Sequence, residues 1–271
     1  MYGTVVSTEQ LTPEMVRVVL GGEGLADLTP VAHTDAYVNC FFLPPTAGYA
    51  PPFTDDETRA LPAEERPRPR RFSVRHWDAE QRRLTIDFVV HGDVGHAGRW
   101  ATHAQPGDRL QLRGPAGGYT PHDDAEAYLL VGDESALPAI AASAEAVPPG
   151  RPVVVVAEVA GPEGEVALGS PGELQVHWVH RADHPGDPTH LLADAVRALP
   201  RPAGVLSAFV HGEAESVRAV RRHLLEERWV DTAHLSASPY WRRGHTDEEW
   251  RSVKATWTRE MAADVPTDRA S

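Results

Sequence analysis

The sequence predicts a chain in two parts, an all-β first half followed by a parallel-sheet α/β second half. Up to His122 the apolar residues fall in short runs rich in Val, Phe and Leu. Gly, Pro and Asp clusters divide these runs, which is the pattern of a barrel or sandwich. From Ala125 onward strand-like and helix-like segments alternate, an order that lays helices on the faces of a parallel sheet. The 271 residues leave room for two domains of ordinary size, and the change of rhythm puts a boundary near residues 121–126.

The first half supplies six strand candidates in order: VVSTEQ, MVRVVL, AYVNCFFL, RRFSVRHW, LTIDFVV and DRLQLRG. Between Pro44 and Pro69 a Pro- and acid-rich stretch without periodicity predicts a surface loop. HAGRWATHA, His96 to Ala104, predicts a helix opening after Gly95. The second half reads as strand AYLLVG, helix ALPAIAASAEAV, strand RPVVVVAEVA and strand HWVH. A helix from Thr189 to Leu199, strand VLSAFVHG and helix EAESVRAVRRHLLEER follow, then ASPYW and a last helix near Asp247 to Ala262.

Composition excludes several classes. A hydrophobic content of 41% is enough for packed cores. No apolar run approaches the roughly 20 residues that span a bilayer, and MYGTVVSTEQLTPEM lacks the build of a secretory signal. The cytoplasm is the expected compartment, with no membrane partner and a monomeric state. Cys40 is the only cysteine, so no internal disulfide and no CxxC site can form. A formal charge of −13 disfavours nucleic acid as a partner. Lys254 is the only lysine and does not follow a glycine-rich loop, which removes a Walker A motif.

Three motifs fail on inspection. GGEG, Gly21 to Gly24, has Asp27 where a dinucleotide fingerprint needs its third glycine, and LADLTP does not continue as a helix. GDES, Gly132 to Ser135, lacks both flanking glycines of a nucleophile elbow. The 14 histidines invite a metal site, but they read as mostly surface residues, and none is expected.

RRFSVR, Arg70 to Arg75, is more informative. Alternation puts Arg70, Phe72 and Val74 on one face and Arg71, Ser73 and Arg75 on the other. A flavin site needs an aromatic plane, a hydroxyl near the N5 edge and a cation for the pyrophosphate, and this hexapeptide holds all three. Taken alone, the hexapeptide reads as an ordinary exposed strand, where arginine and aromatic residues are common.

LTPEMVRVVLGGEGL, DAYVNCFFLP, RRFSVR, DFVVHGDVGHAGRWA, PGDRLQLRGPAGGY, VGDESALPAI, HGEAESVRAVRRHL and YWRRG stand in one order along nearly the whole chain. In this the sequence resembles the siderophore-interacting proteins, FAD-dependent ferric-siderophore reductases related to ferredoxin reductases. The resemblance implies an N-terminal antiparallel FAD-binding β-barrel over residues 1–122. It also implies a parallel-sheet NAD(P)-binding α/β domain with a C-terminal helix over residues 123–271.

By the same resemblance Arg70, Phe72 and Ser73, with Val74 beside them, match the family's flavin motif, with phenylalanine in place of the usual tyrosine. Asp87, Val89, His91 and Gly92 of DFVVHG fall to the cofactor, the last two on its ribityl or adenine side. Gly95, His96, Ala97 and Gly98 open a helix whose free N–H groups suit a pyrophosphate. Trp100 would pack nearby, or serve as helix-to-barrel core. Gly132, Asp133, Glu134 and Ser135, and across the sheet Gly212 and Glu213, would border the nicotinamide of NADPH or NADH. Helix capping is the competing role for the two acids of the first loop. Arg181 reads as a surface arginine, with a 2′-phosphate contact as the alternative.

For the ferric siderophore substrate the resemblance suggests Arg99, Arg242 and Arg243. Asn39 stands where relatives carry lysine, which shifts the expected substrate from an anionic catecholate toward a neutral or cationic hydroxamate. The activity implied is NAD(P)H-dependent reduction of Fe(III) with release of Fe(II), requiring no acid–base catalytic residue. The alternatives are a general flavin reductase or diaphorase, and a non-catalytic siderophore carrier.

Overall fold

In the computed structural model, which describes residues 1–92 and 95–264, the chain divides into two units, Met1–Gly118 and Tyr119–Ser271. Residues 119–122 go with the second unit: the Tyr119 hydroxyl lies 3.2 Å from Ser207 Oγ, and the His122 N–H donates to the same oxygen.

The first unit contains β1 (Tyr2–Thr12), β2 (Met15–Gly21), β3 (Tyr37–Phe42), β4 (Arg68–Ser73), β5 (His76–Asp78), β6 (Arg83–Val89) and β7 (Arg109–Ala116). They form one antiparallel sheet in the order β4-β3-β7-β1-β2-β6-β5. Period-two alternation turns Val18 and Leu20, Val38, Cys40 and Phe42, Leu84, Ile86 and Phe88, and Leu110 and Leu112 into one core. Burial pushes the Cys40 thiol pKa up and keeps it inert.

RRFSVRHW, expected as one strand, is two. The chain leaves the β4 edge at Ser73 and re-enters as β5 on the opposite edge. At this crossing the Val74 N–H donates to Ala36 O at 2.6 Å and the Arg75 N–H to Thr85 O at 2.9 Å. One segment thus supplies both edges, which closes the sheet into a barrel.

The loop from Pro44 to Pro69 also departs from expectation. It holds a short helix, α1 (Asp55–Arg59), started by a reciprocal capping box between Thr54 and Glu57. The expected helix after Gly95 is α2 (His96–His103).

The second unit contains β8 (Ala127–Asp133), α3 (Leu137–Glu145), β9 (Pro152–Val159), β10 (Glu173–His180), α4 (Leu191–Arg197), β11 (Leu206–Glu213), α5 (Ala214–Glu226), β12 (Leu235–Trp241) and α6 (Asp247–Ala263). Its five strands are parallel, in the order β10-β9-β8-β11-β12. The central strands β8 and β11 are buried along their whole length, which is why their sequences read as unbroken apolar runs. The strand order reverses between β8 and β11, so the loops after them face the same crevice, where open α/β sheets bind ligands. Among the described residues no helix is long and apolar enough to cross a membrane.

Candidate functional site

In the first unit the candidate site lies along β4 and the start of α2. Register pairs Phe72 with Val38 and Arg70 with Cys40. Opposed residues on neighbouring strands share a face, so Arg70 and Phe72 sit on the core-facing side of an edge strand. Ser73, paired with Tyr37, is buried on the other side, at the point where the strand ends.

Phe72 is half-buried and packs against Phe88 at 4.5 Å between ring centroids and against Phe42 at 6.0 Å. Trp100 of α2 completes this cluster, at 5.7 Å from Phe88 and 5.8 Å from Phe42. Its core role is therefore visible directly. The cluster forms an apolar wall with two partly exposed aromatic side chains, Phe72 and Trp100, while the half-buried Val74 packs against it.

The Arg70 guanidinium donates to Pro69 O at 3.0 Å, holding the side chain along its own strand. His91 and Gly92 are exposed, and Gly95, the exposed N-cap of α2, has no side chain with which to cap it. His96 and Ala97 are half-buried, Gly98 is buried and Arg99 is exposed. A helix start opened by a glycine, beside an apolar wall with partly open rings, suits a flat cofactor carrying a pyrophosphate.

Asp87 has a structural partner. Its carboxylate accepts two hydrogen bonds from Arg17, at 2.7 and 2.8 Å, and the two residues face each other across β2 and β6. Val89, near the end of β6, is half-buried.

In the second unit the switch-point loops are held by their own acids. Gly132 is required by close packing, because a Cβ there would stand 2.5 Å from His211 O. Asp133 is buried and fully occupied. Its Oδ1 accepts from the Ser135 N–H and hydroxyl, and its Oδ2 from the Glu213 N–H at 2.7 Å and Trp241 Nε1 at 2.8 Å. It therefore acts as a positioning residue joining the ends of β8, β11 and β12. Glu213 caps α5 through Oε2, accepting from the Glu215 and Ser216 N–H groups, while its Oε1 accepts from the Arg243 N–H.

Arg181 is half-buried and paired rather than a fully exposed arginine. Its guanidinium makes a two-point contact with Glu134, at 2.5 and 2.9 Å, and reaches Glu158 at 3.3 Å. The pairing raises the Arg181 pKa above its ordinary value although burial opposes this. With its charge committed to two carboxylates, Arg181 fits the 2′-phosphate role poorly. Burial, with Asp133 nearby, pushes the Glu158 carboxyl up to about 7. Burial raises the Asp133 pKa as well. Sequence reading missed Glu158; the signal available was an acid at the end of the β-branched run PVVVVAEV.

His211, beside Gly212, is buried and stacked on Phe209, with its ring nitrogens 3.0 Å from the Tyr240 hydroxyl and 2.9 Å from Ser236 Oγ. Burial lowers its pKa to about 3, so it stays neutral. Arg242 pairs with Glu215 at 3.0 Å, and Arg243 lies over the Trp241 ring at 5.8 Å. Arg99 belongs to the first unit and these two arginines to the second.

Residues 4–119 match the model of the siderophore-interacting FAD-binding domain, and residues 125–244 match that of the siderophore-interacting proteins. The chain is 34% identical over 251 residues to the ferric vibriobactin reductase ViuB of Vibrio cholerae, with 92% of each chain covered. A siderophore utilization protein from T. fusca has a similar structure, at a TM-score of 0.79 and 38% identity, covering 91% of this chain and 94% of that one. The ferredoxin reductase of carbazole 1,9a-dioxygenase shares the fold alone, at a TM-score of 0.63 and 18% identity, covering 89% of this chain and 68% of that one.

Proposed function

Because the chain belongs to the siderophore-interacting protein family, we propose that it is an NAD(P)H-dependent flavin oxidoreductase that reduces Fe(III) in ferric siderophores. The observation that carries this reading is the half-buried Phe72 on an apolar wall, with Arg70 on the same strand face.

Phe72, Trp100 and the start of α2 would hold FAD, whose ring system couples a two-electron hydride donor to a one-electron acceptor. The aromatic wall excludes water from one side of the bound plane. The N–H groups at the start of α2 would supply donors for the pyrophosphate. The loops at Gly132 and Gly212, fixed by Asp133, present the crevice in which a nicotinamide is bound and oriented.

One hydride carries two electrons, so each nicotinamide serves two ferric complexes. Hard oxygen donors hold Fe(III) far more tightly than Fe(II), and reduction therefore loosens the iron. No side chain needs to move a proton to the metal. Asn39 faces Arg71 and Arg113 on its two neighbouring strands. Their guanidiniums lie over the rings of Tyr37 and Phe41, and that of Arg113 is paired with Asp55 at 2.5 Å.

The test is spectroscopic. Purified protein supplied with FAD should show a bound-flavin spectrum that bleaches anaerobically on adding NADPH or NADH. A ferric hydroxamate or catecholate should restore it while Fe(II) appears in a ferrous chelator. Protein that takes up no FAD would point to a carrier. Faster turnover of free flavin than of any ferric chelate would point to a general flavin reductase.

A further inference from the structure

His122, Asp124 and His234 offer three donor atoms that all lie within 4.8 Å of one another. Asp124 and His234 are 110 positions apart in sequence, so spacing along the chain could not reveal the group. The backbone of His122 and the ring of His234 are held in place. The His122 N–H donates to Ser207 Oγ at 3.4 Å, and its carbonyl accepts from the Tyr128 hydroxyl at 2.7 Å. Its ring lies 4.8 Å from that of His234.

His234 stands just before β12, where its carbonyl accepts from the Ala208 N–H. Its Nδ1 is 2.9 Å from Asp231 Oδ1, which leaves Nε2 aimed at Asp124 Oδ2 at 3.2 Å. Asp231 is itself fixed, accepting the N–H groups of Ala233 and His234 at 2.9 Å. In metal sites an outer carboxylate behind an imidazole sets its tautomer and points the other nitrogen at the ion. Asp231, His234 and Asp124 stand in that order.

We propose that His122, Asp124 and His234 bind a divalent first-row transition cation, with Asp231 as the residue that orients His234. Two imidazoles and a carboxylate suit Zn2+ or Fe2+, whereas Mg2+ and Ca2+ favour oxygen alone. Metal–nitrogen lengths of about 2.0–2.1 Å require the donors to close by about an ångström. The Asp124 side chain, 71% exposed, is free to swing inward, while His234 at 17% is largely fixed.

The donors sit at the amino ends of β8 and β12, which begin at Ala127 and Leu235. Gly132 and Gly212 lie at the opposite ends of their strands, so this site is separate from the nicotinamide crevice and does not depend on the proposed reductase activity. A bound ion would staple the segment leading into β8 to the start of β12.

The test is metal binding by tag-free, chelator-stripped protein, using Zn2+ in competition with a colorimetric chelator, anaerobic Fe2+ in parallel and Mg2+ as control. Wild type should bind a single tight equivalent of Zn2+ and melt at a higher temperature with it. The His122→Ala/His234→Ala double variant should lose both effects while melting like stripped wild type when metal-free. Asp231→Asn should weaken binding by about 10–100-fold. Equal Zn2+ binding by wild type and the double variant, or no tight binding by wild type, would overturn the proposal.

Discussion

The carboxylate of Asp133, at the end of β8, fills the space a side chain on Gly212 of β11 would need: a Cβ there would stand 2.6 Å from Asp133 Oδ2. Gly212 also has a φ of 137°, a conformation other residues rarely adopt. Gly212→Ala therefore meets two costs, backbone strain of about 1–3 kcal/mol and displacement of a buried carboxylate from its donors. Chemical denaturation should show a loss of at least that size, and nicotinamide titration a weakened complex. A variant with wild-type stability would mean that Asp133 is not the hub of these loops.

Two buried titratable groups give stability opposite dependences on pH. Glu158 holds its proton up to about 7 in the folded chain, against an ordinary 4.5. The folded state binds more protons between those values, so unfolding free energy falls as pH rises through that window. His211 is lowered from 6.5 to about 3, so the unfolded state binds more protons and stability rises with pH between those values. Between 4.5 and 6.5 the two effects oppose each other. Glu158→Gln should steepen the rise with pH there and remove the decline that continues toward 7. Denaturation curves collected across pH decide this; parallel profiles for the variant and wild type would contradict it.

The pairing of Arg17 with Asp87 predicts a loss of stability rather than of cofactor. Asp87→Asn removes one member of a largely buried charge pair, with Arg17 30% exposed. The expected cost is about 1–3 kcal/mol, below that of a fully buried pair because water reaches the guanidinium. FAD affinity should stay near wild type. A large fall in affinity with an unchanged melting temperature would instead return Asp87 to the cofactor.

Much of this architecture was legible in the chain because it is encoded locally. The apolar runs of β8 and β11, the alternation of β2, β3 and β6, and the helix after Gly95 all announce themselves within a few residues. What stayed hidden depends on pairs far apart. Asp133 reads as a loop acid or helix cap until Trp241 and the Glu213 N–H are seen to converge on it. Arg181 reads as a surface cation until Glu134, in the loop after β8, and Glu158 of β9 are brought to it. The break of RRFSVRHW into β4 and β5 was also invisible, since barrel closure and not local propensity turns the chain at Ser73. For the flavin strand the sequence indicated residue types but not geometry: Arg70 and Phe72 share a face, and Ser73 does not.

That geometry sets the last prediction. If the exposed part of the Phe72 ring stacks on a flavin, planarity matters more than bulk. Phe72→Leu keeps most of the packing against Phe88 and Phe42 but removes the plane. Aromatic stacking worth about 0.5–1.5 kcal/mol translates into a loss of FAD affinity of about 2- to 13-fold. Phe72→Tyr keeps the ring and should retain wild-type affinity, while adding a hydroxyl able to shift the flavin potential. Fluorescence titration of apoprotein with FAD, paired with a melting curve for each variant, separates lost stacking from lost folding. If Leu and Tyr bind FAD as tightly as Phe, the cofactor does not lie on β4, and the proposed reductase site must be sought elsewhere on the barrel.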